Sequence, residues 1–149
     1  MSKEKRIGLK LMGSTHEDFE IISAHLQDSI VTIRDIVFLK SNKTFLMIVN
    51  RFMWEDMEKG IYWENRRIRC AVKFESVLKV QTKNINQRNK NKPLECLAFK
   101  CSSNPKNSYI INIFFAGNGI ITIICESIDV IMEDLGKAWE VKRAPLHKI

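Results

Sequence analysis

The feature that most constrains this chain is the spacing of its apolar runs. Between residues 30 and 125, short β-branched and aromatic stretches follow one another with gaps too small for helical crossovers. Parallel strands need a crossover of a dozen or more residues, so the spacing demands a mostly antiparallel sheet. The cleanest stretch is RCAVKFE at 69–75 together with Arg67 and Ile68. Ile68, Cys70, Val72 and Phe74 share one face, and Arg67, Arg69, Ala71, Lys73 and Glu75 share the other. A period of two gives an apolar inner face and a basic outer one.

Other segments read the same way. Residues 7–12, 30–33, 36–40, 45–52, 77–82, 94–101, 109–115 and 120–125 are strand candidates. Ser41, Asn42, Lys43 and Thr44 carry turn chemistry between 36–39 and 45–49, predicting a hairpin. Ala116, Gly117, Asn118 and Gly119 predict a second hairpin, because its tight turn needs positive φ. The segment 53–60 reads as a loop or one helical turn. The polar loop 84–93 has almost nothing to bury and is expected to be the most mobile part.

Two helices are predicted. Ser14 with Glu17, or Thr15 with Asp18, forms a reciprocal capping pattern. Phe19, Ile22, Ser23 and Leu26 then follow at helical spacing. At the other end Ser127 can cap a helix whose stripe is Ile128, Ile131, Met132, Leu135 and Trp139, with Gly136 weakening its last turn. The expected fold is α+β. A strongly bent, mostly antiparallel sheet or partly open barrel carries one N-terminal helix and is plugged by a C-terminal one, a pleckstrin-homology-like plan. The 149 residues fit one domain with a core over about 7–139 and a basic tail at 140–149.

Composition excludes some classes. No apolar run approaches the roughly 20 residues of a membrane-spanning helix. The N-terminal apolar stretch is too short and interrupted for a secretory signal, which predicts a cytoplasmic protein without membrane contact. Cys70, Cys96, Cys101 and Cys125 form no C-x-x-C pair and sit in strand-like runs, so they read as reduced, half-buried core thiols.

Three polar groups have chemical options. His25 and Asp28, three apart on the first helix, could pair a base with an orienting carboxylate. A metal site needs three or four ligands, and neither His16 nor His147 completes one, so no metal and no cofactor is expected. A structural histidine is the plainer reading, and a small enzyme using this pair the least favoured. Asn50, Arg51 and Trp54, followed by Glu55 and Asp56, could clamp an anion or stack a base. The plainer reading pairs Arg51 with the adjacent acids and lids the core with Trp54.

The third group is basic. Net charge is +7, and from Arg66 to Lys106 eleven Lys/Arg stand against Glu75 and Glu95, a local balance of +9. Arg67, Arg69, Lys73, Lys79, Lys83, Arg88, Lys90 and Lys92 could track a phosphate backbone. Without interleaved aromatics, binding to RNA or DNA should be weak, salt-sensitive and sequence-blind. The plainer reading is drift: the chain is rich in Lys, Asn and Ile, as an A- and T-biased genome produces. No phosphate loop or nucleophile elbow is present, because the glycine-rich turn joins two strands.

The segments ISAHLQDS (22–29), NRFMWED (50–56), RCAVKFESV (69–77) and FFAGNGIITIICESIDVIMEDLGKAW (114–139) together resemble a family of small bacterial proteins. It is domain of unknown function 2948, known mainly from alphaproteobacteria. The likeness runs from about residue 9 to residue 139 in the same order. It implies a single cytoplasmic domain and supplies no catalytic residues. The leading expectation is a non-enzymatic module binding a protein partner through Asn50, Arg51 and Trp54. Weak accessory binding of nucleic acid through the 66–106 face is the alternative.

Overall fold

The computed structural model describes residues 8–55 and 66–141. The expectations for the 140–149 tail, the end of the 53–60 loop and His147 therefore fall wholly or partly outside the described residues. The strands are β1 (Lys10–Gly13), β2 (Ile30–Thr32), β3 (Ile36–Leu39), β4 (Thr44–Phe52), β5 (Arg66–Phe74), β6 (Val77–Lys83), β7 (Pro93–Asn104), β8 (Ser108–Phe115), β9 (Ile120–Cys125) and β10 (Val130–Glu140). One α-helix, α1 (His16–Leu26), lies between β1 and β2, and 3-10 turns at Ile33–Asp35 and Lys40–Asn42 flank β3.

Thr15 caps α1 by accepting a hydrogen bond from the Asp18 amide at 3.1 Å, and Asp18 accepts from the Ser14 amide at 3.2 Å. Those bonds, the Ser14 amide first, hold the Asp18 carboxyl below its ordinary range. The helix buries Phe19, Ile22 and Leu26 in the core. Each contributes roughly 2 kcal/mol of apolar transfer.

The strands pair antiparallel in the order β1-β10-β5-β4-β2-β7-β8-β9-β6, with β3 joined to β4. Distinct strands end this path, so the sheet is not closed into a barrel. Short β2 links its two halves: Ile30 pairs with Asn50 on one side and Glu95 on the other. The chain also crosses between the halves at a corner. There the Glu75 amide donates to Asp129 O and the Glu126 amide to Ser76 O, both at 2.9 Å. Between the halves lies one cluster of buried side chains, drawn from both and from α1.

Both predicted hairpins form. β3 meets β4 from Ile36↔Met47 to Leu39↔Thr44. β8 meets β9 across the turn in which Gly117 and Asn118 take φ of +85° and +68°. The β5 alternation holds as well, with Ile68, Cys70, Val72 and Phe74 buried.

The C-terminal helix does not form. Its segment is β10, paired with β1 on one side and β5 on the other. Val130 and Met132 point inward, while Leu135 and Trp139 are exposed. A short apolar run on a strand with two apolar faces imitates helical spacing. Gly136 has φ +69° where the β10–β5 register shifts between Leu135 and Trp139, so it serves a bulge rather than a helix end. The pleckstrin-homology-like expectation rested on that C-terminal plug, and the helix that fills the core here is α1. The 84–92 loop is also better anchored than expected. Ile85 packs on the core, the Asn84 side chain donates to Asn118 O, and Lys90 O accepts from the Arg34 amide.

Candidate functional site

Strand β4 sends Phe45, Met47, Val49 and Arg51 to the same inner face. A charged side chain at the fourth inward position must find partners, because burying an isolated charge is prohibitive. It finds them in Asp134 on β10 and Glu55, one turn beyond the strand. Arg51 Nε donates to Asp134 Oδ1 and Nη2 to Oδ2, both at 2.7 Å. Nη1 and Nη2 donate to the two Glu55 oxygens at 3.0 and 2.8 Å, and Nη1 also reaches Phe52 O at 3.3 Å. All five guanidinium hydrogens are thus used.

The Arg51 side chain is 0% exposed, Asp134 1% and Glu55 16%. Burial by itself lowers the Arg51 pKa, but the bonds to Asp134 and Glu55 outweigh it and raise the value, so the cation persists. Burial likewise raises Glu55, and the Arg51 hydrogen bond and charge overcome it, leaving Glu55 below its ordinary range. Asp134 also accepts the Leu9 amide at 2.9 Å, and its own amide donates to Leu9 O at 2.8 Å. The triad therefore ties the β1 edge, β4 and β10 together. It is a brace, and Arg51 has no donor left for a partner.

Trp54 lies elsewhere. Its ring meets Phe52 edge-on at 4.6 Å, and its Nε1 donates to Gln27 O at 2.9 Å. Arg67 covers the same Phe52 ring, with Cζ 5.9 Å from the centroid, and donates to Asp28 O and Asn50 O at 3.2 and 3.0 Å. Burial lowers the Arg67 pKa, against the opposing charges of Asp28 and Glu95. Asn50, Arg51 and Trp54 therefore do not share one surface. The Asn50 side-chain oxygen is buried without a hydrogen-bond partner among the described residues, as is the Ser29 hydroxyl.

His25 is half-exposed, with Nδ1 3.0 Å from Ile21 O in its own helix, and Asp28 is buried past the helix end with φ +64°. Among the described residues no group of three or more His, Cys, Asp or Glu could hold a metal. The four cysteines are unbridged, and three are buried. Burial raises all four thiols, Cys125 to about 12.

The basic stripe is divided by the corner at Glu75 and Ser76. Arg67, Arg69 and Lys73 stand on the outer face of β5, with Arg67 turned onto carbonyls and Lys73 3.4 Å from Glu75. Lys79 and Lys83 stand on the outer side of β6, cross-strand from Ile124 and Ile120, and Arg88, Lys90 and Lys92 occupy the following loop.

Sequence reasoning missed two things. One is Asp134, the partner of Arg51, which a strand reading of Val130, Met132 and Asp134 would have sent inward. The other is the outer face of the first half-sheet. Strand registers align Met12, Ile131, Lys73, Leu46 and Val37 in one row across five strands. The next rows bring Lys10, Glu133, Ala71 and Ile48, then Leu135, Arg69 and Asn50. Among the described residues eight large apolar side chains are exposed. Met12, Val37, Leu39, Leu135 and Trp139 lie on this face, Met12 at 67%.

Fold and site together define a sheet-rich α+β protein with one helix among its described residues, braced by a buried ion triad. No helix among those residues is long and apolar enough to cross a membrane. The chain belongs to the family described as protein of unknown function (DUF2948), whose model matches residues 9–147. No curated protein and no solved structure matches it.

Proposed function

We propose that this protein is a non-enzymatic module that binds another protein through the outer face of β3, β4, β5, β10 and β1. The reading rests on one observation: most of the exposed large apolar side chains of the described residues gather there. Scattered exposed apolar residues are ordinary, whereas a contiguous apolar face marks an interaction surface. Among its charges Lys10, Arg67, Arg69 and Lys73 outnumber Glu75 and Glu133, so the complementary partner surface is apolar with an acidic rim. This moves the expected contact away from Arg51, whose donors are all engaged.

The test is quantitative affinity capture with wild type, Val37→Glu/Leu135→Glu and Lys79→Glu/Lys83→Glu. The face variant should lose a partner that the lysine variant keeps. Equal recovery of every partner by the face variant and wild type would overturn the reading.

A second reading, weak binding of single-stranded nucleic acid, is supported by the outer side of the other half. Lys79, Lys83 and Lys100 there border half-buried Ile110, Phe114, Ile120 and Ile124. It predicts fluorescence-anisotropy binding of a labelled single-stranded RNA that falls steeply with salt, remains measurable at physiological salt and disappears in Lys79→Glu/Lys83→Glu. Binding confined to low salt would make these lysines a solvated surface.

A further inference from the structure

Besides the path ends at β1 and β6, the sheet has a free edge at β3, and the β3 and β6 edges face each other across a gap. β3 pairs with β4 on one side, β6 pairs with β9 on one side, and neither has a second strand neighbour among the described residues. The gap between these strands is framed by two backbone hydrogen bonds. Val77 N donates to Lys43 O at 2.8 Å at the corner, and Arg34 N donates to Lys90 O at 3.0 Å where the 84–92 loop crosses. Inside this frame is a slot of about 170 Å³. Ile36 and Phe38 form one wall, Val80 and Ile85 the other, and Phe45 and Ile121 the floor. The wall residues are half-buried and remain partly in contact with water, although they turn toward the core.

The mouth has a different character. Gln87 Nε2 donates to Thr82 Oγ1 at 2.9 Å, which fixes both side chains at the rim. Lys90 is the one charged residue of the lining, is exposed, and has no acidic partner among the described residues. An unpaired strand edge also turns main-chain donors and acceptors toward its open side. An apolar slot with a cation and a few fixed polar groups at its mouth is the usual arrangement of a small-ligand site. An apolar cavity of about 150 Å³ accepts a single benzene ring, so the volume limits the apolar body to one ring or a short branched chain.

We infer that this slot binds a small carboxylate with an aryl or branched-alkyl body, the body between β3 and β6 and the carboxylate at Lys90. The site is separate from the outer face proposed for a protein partner, because the slot-lining side chains point to the opposite side of β3 and β4. Loss of either activity therefore leaves the other intact.

Phenylacetate, phenylacetamide and acetate serve as probes, titrated into the ¹⁵N-labelled full chain and followed by amide chemical shifts. Phenylacetate should give saturable shifts centred on Ile36, Phe38, Val80, Ile85 and Lys90. Phenylacetamide should bind the same residues several-fold more weakly, and acetate should not saturate them. Lys90→Glu should weaken phenylacetate by about three- to tenfold, the scale of an exposed charge reversal, and leave phenylacetamide unchanged. Val80→Trp should fill the slot and abolish binding. If that variant does not fold, Ile85→Trp blocks the slot from the loop side. The inference is overturned if phenylacetate gives no saturable shifts at these residues. Binding that persists in a folded, slot-filled variant, or that ignores Lys90→Glu, overturns it equally.

Discussion

Replacing Asp134 by asparagine tests whether the Arg51 triad is a brace. The wild-type guanidinium is 0% exposed and places two of its five hydrogens on Asp134. An asparagine oxygen keeps at most one of those bonds and removes the charge that neutralises Arg51. Breaking a buried ion pair by removing one partner costs about 3–5 kcal/mol, because the other charge stays buried. Glu55 retains its two bonds, so the lower half of that range, about 3–4 kcal/mol, is expected. For a chain of this length the melting temperature should fall by about 6–16 °C. Urea unfolding at pH 7 reads the loss directly. It should persist at high salt, since buried charges are poorly screened. Arg51→Met alone should cost a similar amount, by stranding the Asp134 carboxylate. The double variant Arg51→Met/Asp134→Asn should recover about 2–3 kcal/mol relative to additivity, because a neutral amide can still accept the Leu9 N–H. A loss below about 1 kcal/mol for Asp134→Asn, or strict additivity in the cycle, refutes the reasoning.

Three further outcomes follow from the same geometry. Glu55 titrates below its ordinary value, so its contribution is complete above about pH 4.5 and disappears as pH falls further. The stability difference between wild type and Glu55→Gln should therefore shrink as pH falls below about 4.5, and a flat difference would contradict the pairing. Thr15→Ala removes the cap bond to the Asp18 amide and should cost about 1 kcal/mol in urea unfolding; no measurable loss would show that the cap is unimportant. Of the cysteines only Cys101 is half-buried rather than buried, so it should react first with a thiol reagent in the folded protein at pH 8. Rapid labelling of two or more thiols without denaturant would contradict that order.

The sequence by itself determined the antiparallel sheet, the α1 cap and both hairpins. Each depends on contacts a few residues apart: alternation that follows the pleat, a threonine reaching an amide three residues on, and a Gly-Asn turn with positive φ. Even the fate of Arg51 was half-legible, since it continues the inward beat of Phe45, Met47 and Val49. Tertiary structure decided the rest. The run from Val130 to Glu140 is a strand because β1 and β5 offer it edges on both sides, and no local pattern announces an available edge. Arg51 meets Asp134 across 83 positions of sequence, so whether it faced solvent or a buried carboxylate depended on which strand lay beside β4 and β5. The basic stripe, continuous in sequence, is divided because the chain turns a corner at Glu75 and Ser76. The outer apolar face exists only once five strands come into register, because β1, β3 and β10 each contribute one or two exposed side chains that alone look ordinary, while β4 and β5 bring half-buried Leu46, Ile48 and Ala71 between them. Local stereochemistry fixes what an element is, whereas its neighbours decide what its side chains meet.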